Sequence, residues 1–504
     1  MSSPSPSPSN PLLLLFLLLL SIPSSTPSPQ SNGQGFISLS ISDKGLFFIK
    51  DLLIEQAIST LTPLTLPTIQ KSIKIPLLGK VYVSLSNITL SHVNVSSSTI
   101  QPGETGIAIV TSGMTADLNM TWKYSYRTWV IIPIDISDSG TAQILVEDME
   151  VGLTLKMENQ GGGLRLSLME CGCYLKDISI TLDGGASWFY QGLVDAFEGK
   201  IRSAVAKAIT KKLEEGIVKL DAFLQKIPKE VPVDDISALN ATFVNDPLLS
   251  NSSVGFEING LFMARDKVSL PKYYLRNSQT SAPCNGQMLQ ISLDKAVLDS
   301  ASDVYFKAGI MRWIVDKVPD DSLLNTAGWK YMVPQLYKKY PNDKMQLNIS
   351  LSSPPVIWII SDQIQATVSS DMTIEVLDGG EVIPVACISM VISASGTVEV
   401  SGNNLAGRAG LNEFTLNLKW SKVGRFHMYL IQTVVWVFLK DVAQPYVNSH
   451  LQKGFPLPII HGFSLQNAEI QCSGSAITVC SDVTYADDSY NVKQLLNVPL
   501  LINA

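Results

Sequence analysis

Leu451–Pro458, LQKGFPLP, follows directly on an apolar helix spanning about Phe426 to Leu451. Upstream, Lys338-Lys339-Tyr340-Pro341 leads into Met345–Pro355, MQLNISLSSPP. There Met345, Leu347, Ile349 and Leu351 alternate as one face of a strand, which puts Asn348 on the other face. Neither stretch holds a catalytic group, so both speak to architecture. Around them, Leu289–Leu293 reads as a strand and Ala301–Val318 as a helix. Further strands are expected at Gln365–Val376, Val382–Ile392, Gly396–Ser401 and Glu413–Trp420.

The same order of elements occurs earlier in the chain. Phe36–Ser42 alternates as a strand, and Lys44–Leu61 is helical, with Phe47, Phe48, Leu52, Ile54, Ala57 and Ile58 on its apolar side. Alternating segments follow at Val81–Val95, Ile107–Met120, Trp129–Ile136, Ala142–Met157 and Leu164–Leu182. In the first of these the apolar phase changes parity near Asn87, as a β-bulge would cause. Strands without intervening helices predict a curved antiparallel sheet rather than a βαβ fold. A helix from about Ser187 to Gln225 then carries Phe189, Leu193, Phe197, Ile201, Val205, Ile209, Leu213 and Ile217 at four-residue steps. Each step turns the stripe by about 40°, so it winds around the helix as packing on a twisted sheet requires. Ile227–Asp235, with two prolines and four charges, reads as a linker between two halves of like architecture.

These segments, together with Ile73–Lys80, IKIPLLGK, resemble the bactericidal permeability-increasing and lipopolysaccharide-binding proteins over roughly Phe36 to Tyr485. The resemblance implies an α+β fold: a boomerang of two elongated, highly curved antiparallel β-barrels, each with a long helix, joined by a central sheet. The expected divisions are 1–32 signal peptide, 33–230 N-terminal lipid-binding barrel, 231–260 linker and central sheet, and 261–504 C-terminal lipid-binding barrel. It further implies that the protein holds lipopolysaccharide or phospholipid, with acyl chains in apolar pockets and phosphates at a basic N-terminal tip. That role belongs to innate immune recognition, the alternative being extracellular transfer of phospholipids or neutral lipids. The matching tip segments supply Lys74 and Lys80, then Lys123 and Arg127 in TWKYSYRTW, with Trp122 and Trp129 as interfacial aromatics. The chain departs from the antibacterial member in having Tyr126 and Val130 where that protein carries more lysines. The family also ties its long N-terminal helix to a strand by a disulfide. Here Cys173 falls near the strand position and Thr210 near the helix position, so Cys173 pairs with Cys171, pairs elsewhere or stays free.

Compartment is legible at the start of the chain. Pro11–Leu20, PLLLLFLLLL, is too short to span a bilayer and gives way to Ser, Pro and Thr, as in a secretory signal peptide. Six N-x-Ser/Thr sequons agree with export, at Asn87, Asn94, Asn119, Asn240, Asn251 and Asn348. Six cysteines in an exported chain imply disulfides. Cys472 and Cys480, either side of Gly474, are the expected hairpin staple, while Cys284 and Cys387 are left open.

Hydrophobic residues make up 46% and charged residues 16% of the 504, against about 25% charged in an ordinary globular protein. This apolar excess suits a lined cavity, or a β-rich chain with an apolar leader. From Phe36 to Lys229, 18 Lys+Arg face 19 Asp+Glu, so a strongly basic membrane-disrupting half is excluded. His92, His427, His450 and His461 have no metal-ligand spacing, and no nucleophile elbow or phosphate loop occurs. Neither cofactor, metal nor nucleic acid is expected, and the reading is of a non-enzyme that meets bacterial or lipid surfaces peripherally. The competing class, a secreted hydrolase, would rest on Glu147, Asp148 and Glu150, which read more simply as a solvated strand edge.

Overall fold

The computed structural model describes residues 34–75, 79–129, 133–183, 187–265, 274–276, 284–318, 321–361, 363–460 and 462–485. The expected leader, residues 1–32, and His461 lie outside them.

Strand β1 (Ile37–Ser42) runs into helix α1 (Asp43–Leu61). The Ser42 hydroxyl accepts from the Gly45 amide and so caps α1. Next come β2 (Leu64–Thr65), β3 (Ile69–Ile75), β4 (Gly79–Asn94), β5 (Ser97–Gly103), β6 (Gly106–Trp129), β7 (Pro133–Gln160) and β8 (Gly163–Asp183). They form one antiparallel sheet in the order β2-β4-β6-β7-β8, with β3 on β4 and β5 on β6. The predicted Trp129–Ile136 strand instead straddles the β6–β7 hairpin, whose return strand begins at Pro133. The parity change near Asn87 is a bulge: β4 and β6 slip register between Ser86 and Thr89, and Asn87 takes φ +52°.

Helix α2 (Ser187–Leu224) lies across this sheet. Phe197, Ile201, Val205 and Ile209 are at most 3% exposed in the core shared with β4, β6, β7 and β8. Further along, Ile217, Leu220 and Leu224 pack against a separate cluster with Leu155 and Leu166. The stripe winds, as its four-residue step requires. No pairing joins β2 to β8 among the described residues, so the expected barrel is an open curved sheet with α2 filling its hollow. A helix inside that hollow leaves no room for the edges to meet.

The linker holds β9 (Glu230–Pro232), which pairs with β10 (Ser237–Asn240), itself paired with β13 (Phe262–Ala264); β11 (Leu248–Ser250) and β12 (Ser253–Ile258) lie between. Asp234 fixes the linker: its Oδ1 accepts from the Ile236 and Ser237 amides, and its Oδ2 from Tyr305 Oη at 2.6 Å. Strand β14 (Leu289–Asp294) and helix α3 (Lys295–Lys307) open the second half, with Asp294 capping α3 as Ser42 caps α1. The helix expected at Ala301–Val318 therefore starts and ends earlier, and stops before Gly309 at φ +70°.

After β15 (Arg312–Val315), a short helix α4 (Pro334–Lys339) precedes β16 (Lys344–Leu351), β17 (Val356–Ile360), β18 (Gln363–Asp378), β19 (Glu381–Ser401) and β20 (Asn404–Ser421). The closing helix is α5 (Met428–Phe438), a π turn at Leu439–Ala443, and α6 (Gln444–Leu451). Pro445 explains the π turn: it has no amide proton for the α pattern, and its ring crowds the preceding turn. Strand β21 (Phe455–Pro456) completes the order β15-β16-β18-β19-β20-β21, with β17 on β18, and β22 (Phe463–Ser473) and β23 (Ala476–Tyr485) end the described chain.

A six-stranded sheet in the order β11-β12-β1-β14-β23-β22 connects the halves. It draws on strands well outside 231–260, which supplies only β11 and β12. One cystine crosses it, and it is not the expected one: Cys480 bonds Cys284, in the loop before β14. The tight β22–β23 turn pairs Ser473 with Ala476, which sets Cys472 opposite Ile477 and Cys480 opposite Glu469. That register keeps the two hairpin cysteines apart. Cys171 and Cys173 stand on β8 with no disulfide, and burial pushes the Cys173 thiol up to about 12.

Candidate functional site

The N-terminal sheet presents different chemistry on its two faces. On the inner face, Val83 and Leu85 of β4, Met120 and Trp122 of β6, and Ile180 and Leu182 of β8 face Val194, Phe197 and Ile201 of α2 across an apolar crevice. Phe197 and Ile201, from the four-residue stripe of α2, line it, whereas Phe47, from the apolar side predicted for α1, is 44% exposed. The crevice holds only ≈ 30 Å³, about one water molecule. That volume is too small for an acyl chain.

From the crevice an apolar track leads to the β3–β4 and β6–β7 end of the sheet. Trp122, Tyr124 and Tyr126 stack in series, with centroids 5.9 Å and then 6.3 Å apart. Val81 pairs with both Ile73 and Tyr126, and Tyr126 pairs with Ile136, so all four share the inner face. Ile134 and Ile136 are 51% and 36% exposed there.

On the outer face of the same end stand cations. Lys74 and Lys80 are direct cross-strand partners, and like charges so placed repel. Lys80 Nζ lies 5.0 Å from the Tyr82 ring centroid. One residue beyond the Val81–Tyr126 pair, the register continues this row to Arg127. Arg127 is paired to Asp135, with Nε–Oδ1 2.7 Å and Nη2–Oδ2 3.0 Å. The hydrogen bond and charge of Asp135 raise the Arg127 pKa, and Arg127 in turn holds the carboxylate below its ordinary range. Lys123 is exposed on the same face, opposite Ser84 and Ser139.

The expected tip residues thus divide between faces. Lys74, Lys80, Lys123 and Arg127 share the outer face. Trp122 is 4% exposed on the inner one, where it lines the crevice with its Nε1 donating to the Thr141 carbonyl. Trp129 closes β6 opposite Pro133, and its side chain lies outside the described residues. Sequence reading passed over Tyr82, Ile73, Ile134 and Ile136, whose faces follow from carrying the alternation of β4 and β6 through the hairpin ends.

The acidic cluster does not form a cleft. Glu147, Asp148 and Glu150 are exposed on β7, where Asp148 pairs with Lys176 at 2.7 Å. Among the described residues no group of three or more His, Cys, Asp or Glu could hold a metal, and no helix is long and apolar enough to cross a membrane. Of the sequons, Asn87, Asn94, Asn119 and Asn251 are exposed. Asn240 and Asn348 are half-buried: Asn240 Oδ1 accepts from Thr242, and Asn348 bridges Arg312 and the buried Glu375.

Residues 45–226 match the N-terminal domain of the LBP / BPI / CETP family, and 232–485 match its C-terminal domain. A BPI/LBP family protein of Arabidopsis thaliana is 53% identical across 90% of this chain and 93% of its own length. The bactericidal permeability-increasing protein of Sebastes schlegelii is 26% identical across 89% of this chain and 95% of its own. A crystal structure of lipopolysaccharide-binding protein superposes with a TM-score of 0.65 at 19% identity, covering 90% of this chain and 99% of that one.

Proposed function

The chain belongs to the LBP / BPI / CETP family in both of its domains, and from that premise we propose that it is a secreted lipid-binding protein. Its ligand is lipopolysaccharide or a phospholipid, with acyl chains under α2 and phosphates at Lys74 and Lys80, in innate immune recognition of bacteria. One observation carries this reading: a single sheet end bears outside two facing lysines, neither ion-paired among the described residues, and inside an apolar track to a crevice. A phosphate between Lys74 and Lys80 relieves their repulsion through charge-assisted hydrogen bonds. Each buried CH₂ of an acyl chain adds roughly 0.8 kcal/mol, which offsets the cost of lifting α2. The apolar leader and the cystine fit an oxidising, exported setting.

The test combines two measurements on secreted protein. Mass spectrometry of co-purifying lipid is expected to find acyl lipid at near-stoichiometric amounts. Lys74→Glu with Lys80→Glu is expected to weaken lipid A binding at least tenfold, roughly 1 kcal/mol per cation removed. Bound acyl lipid with no lipid A binding in either form supports the second reading, an extracellular lipid carrier that needs the crevice but not the cations. Protein free of lipid that binds no vesicles refutes both.

A further inference from the structure

A second cation cluster lies in the C-terminal half, built from α4, the loop before it and the segment leading into α5. The His427 amide donates to the Met332 carbonyl at 3.1 Å, and Gly424 lies so close to Gln335 that an added Cβ would sit 2.9 Å from its Cδ. The two segments are therefore side by side. They display Lys330, Lys338, Lys339, Lys422 and Arg425, all exposed. Among the described residues none of these five carries an ion pair to a carboxylate. Asp343 is the acid within the 326–345 segment and none lies in 420–429. Asp378 and Glu381 belong to the β18–β19 turn, next to Lys344, which is left out of the cluster for that reason.

Aromatics are interleaved with these cations. Tyr331 is 80% exposed and Tyr429 71%, while Lys422 Nζ stands 5.5 Å from the Trp420 ring centroid. From this arrangement we infer that the face docks on an anionic lipid surface. Charge decides the partner's sign: a chain of net charge −7 gathers here five cations that, among the described residues, have no carboxylate partner, and an anionic surface supplies one. The rings decide its kind, since Tyr and Trp flanking Lys and Arg favour the water–lipid boundary, one side wet and the other apolar. This surface is separate from the Lys74–Lys80 end and needs no bound acyl chain.

Vesicle flotation of the full secreted protein tests it, with phosphatidylcholine vesicles alone or mixed with phosphatidylglycerol. The Lys74→Glu, Lys80→Glu background removes the N-terminal contribution. In that background, Lys338→Ala with Lys339→Ala, or Lys422→Ala with Arg425→Ala, is expected to weaken phosphatidylglycerol binding roughly 10- to 30-fold. Tyr331→Ala with Tyr429→Ala, which alters only exposed rings, is expected to weaken it without changing its salt dependence. Circular dichroism confirms that each variant is folded. Variants that bind phosphatidylglycerol vesicles like their parent, a parent that floats equally with neutral vesicles, or preference for a polynucleotide probe would each overturn the inference.

Discussion

Two asparagines with the same sequon meet opposite fates in this fold. Asn119 points outward from β6, while Asn348 gives both ends of its amide to Arg312 and Glu375. A glycan on Asn348 would replace one of the two amide hydrogens beside Glu375, which is 8% exposed, and its bulk has to enter a half-buried site between Arg312 and that carboxylate. Site mapping after enzymatic deglycosylation is therefore expected to find occupancy at Asn87, Asn94, Asn119 and Asn251 and none at Asn240 or Asn348. The strand phase at Asn348 was legible, but its bond to Glu375 depends on a cross-strand neighbour 27 residues away that no local pattern reveals. Cysteine pairing shows the same limit. Cys472 and Cys480 are close in sequence, yet one hairpin register separates them and Cys284, 196 residues from Cys480, takes the bond. Closing so long a loop restricts the unfolded chain, so Cys284→Ser is expected to cost roughly 2–5 kcal/mol in chemical denaturation. Cys472→Ser should leave the reductant-sensitive part of that stability in place.

At the scale of elements, periodicity told most of the story where one face of a helix or strand is buried. The winding stripe of α2 and the bulge at Asn87 are both written in the apolar phase. Hairpin ends were harder, because the alternation of β6 runs on toward Trp129 and only Pro133 marks the return. The contact between sheet and helix turns on a glycine that periodicity ignores. Gly140 of β7 lies opposite Trp122, and a Cβ there would approach the indole Cζ2 and the Asp183 carbonyl oxygen to 2.6 Å each. The ring lies across Gly140, which holds it at the wall of the crevice. Gly140→Ala should drive the indole toward Phe197 and the space an acyl chain needs. The expected cost is roughly 1–3 kcal/mol of stability from overpacking. Co-purifying lipid should fall with it, and a shift in tryptophan emission would report the ring's displacement. Unchanged lipid content with a shifted ring would place the acyl chain elsewhere.

The molecule as a whole is a repeat whose two copies meet at their first strands. Each half runs strand, capped helix, long curved sheet, long helix, returning strand, and the central order β12-β1-β14-β23 sets the halves back to back. Sequence order disclosed the repeat; the antiparallel β1–β14 pair that makes it two-fold in character rests on contacts between residues about 250 apart, beyond any local signal. In that pair Ile37 meets Leu293, Leu39 meets Ile291 and Ile41 meets Leu289, apolar against apolar throughout. Strand β1 is also complementary to itself. Two copies set antiparallel about Leu39 would match Ile37 with Ile41 and keep every apolar side chain on the same face. A fragment of residues 34–264 retains β1 and its partner β12 but loses β14, which leaves a bare apolar strand edge. It is therefore expected to form a symmetric dimer, each copy standing where the C-terminal half was. Light scattering should give twice the fragment mass, and Leu39→Lys, which sets two like charges face to face at the two-fold axis, should return it to monomer. A fragment that is monomeric before that substitution would mean the linker strands β9, β10 and β13 cover the edge, and that the halves join by more than their first strands.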